Sequence, residues 1–223
     1  MPLGIPKVVF QGPGDEEPDC NRLYNLRFLF LCQELDYEKA AQLCSLLVNF
    51  TVEDPKKEFF LFINSPGGAL IPGLTVYDFL RTLGPDVNTI CMGTAASMAS
   101  LLLAVGTVSK RIAYPGSRVM IHEPEASKFT ASMALTVKEA EELAYLRQRV
   151  IDTYKKHTIQ SQSRIESDLE RDTFMTAKQA LAYGIIDKIA YSVDGLYQET
   201  LDDLTAEERD LDIEHNPEGL DWS

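Results

Sequence analysis

Apolar positions in this chain fall into short blocks separated by glycine, proline and charge. "LRFLFL" (26–31), "EFFLFIN" (58–64) and "DVNTICM" (86–92) are compact apolar runs and predict buried strands. Each is followed by a helical pattern. "DYEKAAQLCSLLVNF" (36–50) has three-to-four spacing with Asp36 as its cap, "LIPGLTVYDFLRTL" (70–83) follows "SPGG", and a run of small residues opens a helix at Ser97. The repeated unit of strand, glycine turn and helix predicts an α/β fold with a largely parallel core.

"VSKRIAYPGSRVMIHEP" reads as two short strands around Tyr114-Pro115-Gly116. A long helix is expected over 132–157, with Glu139, Glu141 and Glu142 early and Arg147, Arg149, Lys155 and Lys156 late, an order that complements the helix dipole. Leu143, Leu146, Val150 and Tyr154 share one of its faces. A further helix near 163–169 precedes a segment with Thr176 as N-cap, Gly184 as C-terminal glycine and a closing strand in "IIDKIA". Residues 1–25 are rich in Pro, Gly and charge and read as a mobile arm, 26–191 as the folded body, and 192–223 as an acidic, disordered tail.

Composition narrows the class. The 223 residues suffice for one domain with a sizeable core, and 45% hydrophobic with 25% charged residues is a soluble globular profile. No uncharged apolar run reaches the roughly 18 residues of a membrane span, so no membrane role is expected, and the N-terminus has no secretory pattern. Ten of the thirteen net negative charges lie in residues 192–223, where eleven acids face Arg209 alone. The body is nearly neutral and offers no basic footprint for nucleic acid. Cys32, Cys44 and Cys91 lie in apolar segments with no CxxC pair, as buried reduced thiols would, and His122, His157 and His215 are too scattered for a metal site.

Candidate chemistry centres on Ser97 in "ICMGTAASMAS". It is either a small residue in a close-packed helix or a nucleophile at a helix start. His122 ends the apolar run "RVMI" and is the one strong candidate for its base; a structural histidine is the plainer alternative. Asp172, in "ERDTFMT", is one of many carboxylates able to orient that base. Gly67 and Gly68 supply a turn free of side chains, and Met98 supplies a backbone N–H at a helix start, both suited to an oxyanion.

"FINSPGG", "TICMGTAASMAS", "RVMIHEP" and "ERDTFMTAKQALAYGIID" together resemble, in order and spacing, the proteolytic subunits of the Clp (caseinolytic) protease family, over about 26–191. "MPLGIPKVVF", "PGDEE" and "EAEELAYLRQRV" resemble its plastid-encoded type. The resemblance implies a crotonase-like spiral of ββα units with a protruding handle helix. It implies a serine endopeptidase in which Ser97 is the nucleophile, His122 the base, Asp172 its orienting acid, and Gly68 and Met98 the oxyanion donors. It further implies heptameric rings stacked as a tetradecamer, with Arg171 at the contact between rings. A Clp-family unfoldase that consumes ATP would dock on Phe60 and Phe62 and feed in unfolded protein. The subunit itself would need no cofactor, and its place would be the chloroplast stroma. Plain strand packing is the alternative for Phe60 and Phe62, and on either reading one of them is expected to face the core. Thr82 stands where an aromatic residue is usual, "EPEASKFTASMA" lacks the glycines of bacterial members, and the acidic tail runs past the usual family end. Two rivals remain at this stage: a scaffold subunit without activity, and an acyl-CoA hydratase or isomerase of the same superfamily.

Overall fold

The computed structural model describes residues 22–123, 133–191, 198–200 and 214–215. Most of the expected arm and tail, and the segment 124–132, lie outside the described residues. The chain runs α1 (Arg22–Asn25), β1 (Phe28–Leu31), α2 (Tyr37–Glu53), β2 (Phe59–Ser65), α3 (Leu70–Thr82), β3 (Val87–Ala96), α4 (Met98–Ala104), β4 (Arg111–Ala113) and β5 (Arg118–Ile121). It continues through α5 (Met133–His157), α6 (Gln162–Leu169), β6 (Thr173–Thr176), α7 (Ala177–Tyr183), β7 (Lys188–Ala190), β8 (Gln198–Thr200) and β9 (Glu214–His215). The architecture is the α/β, crotonase-like spiral expected, with α5 as the handle helix.

Local chemistry accounts for most element ends. Asp36 Oδ1 accepts from the Lys39 N–H at 2.7 Å and starts α2, whose Ala40, Leu43, Cys44, Leu47 and Phe50 are buried. Thr176 and Gln179 close a reciprocal capping box on α7, and Gly184 ends that helix at φ 87°. β1 begins later than the apolar run suggested. Arg27 takes a positive φ of 64° and turns its guanidinium inward, where it donates to the carbonyls of Lys57 (2.6 Å) and Phe50 and lies over the Phe59 ring. That turn leaves Leu26 exposed and starts the strand at Phe28.

Strand β3 organises the sheet. It extends to Ala96, beyond the apolar run, because its second half pairs with β5 rather than with solvent. Its first half lies between β2 and β4, all parallel (Phe59↔Val87 through Ile63↔Cys91, and Thr89↔Arg111 through Cys91↔Ala113). Its second half pairs with β5 through Thr94↔Arg118 to Ala96↔Met120. Gly93, at φ 98°, sits at the junction, and a Cβ there would come within 2.7 Å of Asn64 Oδ1. β4 and β5 thus flank their turn without pairing with each other. β6, which periodicity did not reveal, runs antiparallel to β5.

The tail differs from expectation at two stretches. β8 pairs antiparallel with β7, and β9 with β6 (Thr173↔His215, Phe174↔Glu214). Strand pairing uses backbone N–H and C=O groups, which an acidic composition leaves available. The start of the tail-adjacent body is also tied down, since Ile185, Ile186 and Ile189 are buried. The cysteine expectation holds for Cys44 and Cys91, while Cys32, one residue past β1, is exposed.

Candidate active site

Ser97 occupies the single residue between β3 and α4. It has φ 52° and ψ −125°, a conformation that costs a non-glycine residue about 1–3 kcal/mol and persists only where the surroundings enforce it. The enforcement is visible on both sides. The Ser97 N–H donates to the Met120 carbonyl of β5 at 2.9 Å, and the Ser97 carbonyl accepts from the Ser100 N–H at 3.1 Å and the Ser100 hydroxyl at 2.7 Å. The small residues around Ser97 therefore serve two elements: Gly93–Ala96 form strand, and Met98–Ala104 form a fully buried helix.

The same sheet register delivers the base and the acid. β5 and β6 pair as Met120↔Phe174 and Ile121↔Thr173, so the next step of that antiparallel ladder sets His122 opposite Asp172. Their side chains meet: His122 Nδ1 lies 3.1 Å from Asp172 Oδ1, and His122 Nε2 lies 2.8 Å from Ser97 Oγ. The tautomer that donates through Nδ1 to the carboxylate leaves Nε2 to accept the serine proton. The side chains of His122 and Asp172 are 20% and 34% exposed, open enough for water to reach them. The turn that carries Asp172 is secured from behind. Thr173 Oγ1 donates to the Asp168 carbonyl at 2.6 Å, and the Glu123 N–H donates to the Leu169 carbonyl at 2.8 Å.

The glycine turn comes in from the other side. The Leu35 N–H donates to the Gly67 carbonyl and the Ala69 N–H donates to the Leu35 carbonyl, at 2.7 and 3.0 Å. This parallel bridge is centred on Gly68, so the Gly68 N–H is directed away from Leu35. Both glycines are required sterically. A Cβ on Gly67 would lie 2.6 Å from Ser97 Cβ, and one on Gly68 would lie 2.3 Å from the Leu35 carbonyl oxygen. Met98, as first residue of α4, has an N–H with no acceptor inside its helix. Gly68, Ser97, Met98 and His122 line one cavity of about 280 Å³, together with Leu101, Val150 and Tyr154.

The remaining candidates lie apart from this cavity. Arg171 is exposed and its side chain makes no ion pair among the described residues. Phe60 and Phe62 lie two residues apart and so share one face of β2; neither turns to the core, which takes Phe59, Leu61 and Ile63 instead. Both meet Phe28 of β1 edge-to-face and Phe62 stacks on Phe30, at centroid distances of 5.2–5.6 Å, a half-buried aromatic cluster. Thr82 is exposed at the end of α3. Sequence reasoning passed over Ser100, Tyr154, Leu35 and Thr173, which support the site from long range and carry no local motif.

The family model described as Clp protease matches residues 15–193. The chain belongs to the Clp protease family. Curated relatives named "ATP-dependent Clp protease proteolytic subunit" include one from Dioscorea elephantipes, 48% identical over 193 residues that cover 85% of this chain and 95% of the relative. Others come from Lotus japonicus and Nicotiana tabacum, 47% and 48% identical over 194 residues, covering 85% of this chain and 99% of each relative. This Clp protease is a serine peptidase. The hydratase or isomerase reading falls with that membership.

Proposed function

We propose that Ser97, His122 and Asp172 are the catalytic triad of this peptidase, with Gly68 and Met98 as oxyanion donors. The observation that supports it best is the unbroken hydrogen-bonded line from Ser97 through His122 to Asp172, at 2.8 and 3.1 Å. Ser97 Oγ attacks the scissile carbonyl while His122 Nε2 takes its proton. Asp172 accepts from Nδ1–H and stabilises the imidazolium that forms. The tetrahedral oxyanion then accepts from the Gly68 and Met98 N–H groups, and loss of one such donor costs about 10²–10³ in rate. His122 returns the proton to the leaving amine. Water, deprotonated by the same nitrogen, releases the acyl group and restores Ser97. An activity-based fluorophosphonate probe tests the assignment: it should label Ser97 in the wild type and leave Ser97→Ala unlabelled. Labelling elsewhere, or none, would reject the triad.

The family forms rings and works with ATP-dependent unfoldases. For this chain the reading is a subunit of heptameric rings stacked as a tetradecamer, degrading unfolded protein in the stroma of plant plastids. ATP is consumed by the unfoldase, and the subunit has no cofactor of its own. The Phe28, Phe30, Phe60 and Phe62 cluster is the unfoldase contact. The axial arm is the part of 1–25 before α1, and the acidic tail, 192–223, adds β8 and β9 to the peptidase sheet. Arg171, exposed and without an ion pair among the described residues, lies next to an acid that faces inward to His122 and can reach a carboxylate on the facing ring. Arg171→Ala should sediment as single rings with little activity, and Arg171→Lys should be intermediate because an ammonium cannot reproduce a forked pair.

A further inference from the structure

The strained backbone of Ser97 needs its carbonyl held as firmly as its N–H. Ser100 does this twice, through its N–H and its hydroxyl. The hydroxyl is completely buried and has one proton, which goes to the Ser97 carbonyl. Tyr154 Oη lies 2.7 Å from Ser100 Oγ. With the serine proton already committed, the tyrosine must be the donor. Burial pushes the Tyr154 hydroxyl well above its ordinary pKa, so it keeps its proton. Each bond in such a chain polarises the next, which strengthens the grip on the carbonyl.

We propose that Tyr154 is a positioning residue for Ser97, acting through Ser100 to couple the handle helix to the nucleophile. The inference rests on the reading of Ser97 as nucleophile. Tyr154 sits in the last turn of α5, next to Val150 and Ile151 on the buried face, while residues 140–145 of the same helix are exposed. Force on the exposed part of α5 therefore reaches the Ser97 carbonyl through a rigid helix and two hydrogen bonds, 54 residues apart in sequence at the first of them. The carbonyl in turn fixes where the Met98 N–H points, since the two belong to one peptide group. A misaligned peptide group misplaces both the nucleophile and one oxyanion donor.

Tyr154 also lines the cavity, and the test must separate holding Ser97 from contacting substrate. Tyr154→Phe removes one oxygen and keeps the ring. In the assembled complex it should lower kcat for a short peptide, and the rate of fluorophosphonate labelling at Ser97, by about tenfold, the scale of one buried hydrogen bond. KM should stay within about twofold and sedimentation should not change. Ser100→Ala should fall at least as far, and the double variant no further than Ser100→Ala alone, since the tyrosine acts through the serine. A Tyr154→Phe complex with normal kcat and labelling but raised KM would reduce Tyr154 to cavity lining. Multiplied losses in the double variant would also overturn the relay. If Tyr154→Phe fails to assemble, Ser100→Ala decides with the same readouts, and an undiminished kcat there rejects the proposal. Failure of the wild type to label at Ser97 would instead reject the triad.

Discussion

Two hydrogen-bonded charged clusters sit at opposite ends of the same short helix, and they are built for opposite purposes. At the start of α4, Ser97, His122 and Asp172 form an open line with one nitrogen left to accept and release a proton. Past its end, Arg111 forks onto Asp187 with Nε at 2.9 Å and Nη2 at 2.6 Å. Its Nη1 donates to the carbonyls of His157 at 2.6 Å and Ala104 at 3.2 Å. The Arg111 side chain is 8% exposed, against 20% for His122. The guanidinium pins β4, the last turns of α4 and α5, and the approach to β7 with almost every donor used. A charge with its partners satisfied stabilises structure and does no chemistry. The proposed triad instead combines a strained backbone, partial exposure and a histidine nitrogen placed to accept the serine proton.

The largest expected effect separates the clusters by activity. Ser97→Ala removes the proposed nucleophile and leaves a small residue, so peptidase activity should fall by about 10⁴–10⁶ with no loss of Tm or assembly. The assay needs complexes in which this is the only active subunit, and undiminished cleavage there breaks the comparison. Arg111→Met is the counterpart. It strands Asp187 in a mostly buried place, and denaturant unfolding should show a loss of about 3–5 kcal/mol, with activity per folded molecule preserved. Replacing both partners with apolar residues should recover most of that loss.

A smaller effect is expected at the tail. Its β9 lies on the free edge of β6, one residue beyond Asp172. Deleting 201–223 removes those backbone bonds and should cost about 1–2 kcal/mol of stability, at about 1 kcal/mol for each bond. Thermal melting of the truncated chain checks this, and an unchanged Tm would mean that β9 contributes nothing. The last effect is a pH dependence beside Arg111, absent at neutral pH. Burial, then the cations Arg81, Arg111 and Lys156, lowers the His157 pKa to about 4. Its Nε2 is buried without a partner among the described residues. The unfolded chain takes up a proton on this histidine near pH 6.5, earlier than the folded chain does. Stability from this source is therefore intact above about pH 6.5 and declines down to about pH 4. His157→Gln should flatten that part of the Tm-against-pH curve, and an unchanged slope would place the effect elsewhere.

Some of this was written in the sequence. Periodicity located β2, α2, α3 and α5 to within a few residues, because each buries one face and that face repeats along the chain. The caps at Asp36, Thr176 and Gly184 are local chemistry and read directly. The site motifs were legible as a set in a fixed order, although Ser97, His122 and Asp172 taken singly had bland alternatives. Only tertiary structure decided the rest. Sequence cannot show that Gly93 splits β3 between two sets of partners, that Arg27 turns inward, or that Phe60 and Phe62 look outward with Phe28 and Phe30. Nor can it show that the β5–β6 register sets His122 against Asp172, or that Tyr154 reaches Ser100 across 54 positions. Those features are pairings between distant residues. Periodicity reports which face of an element is apolar, whereas a hydrogen bond between distant side chains exists only once two such faces have met.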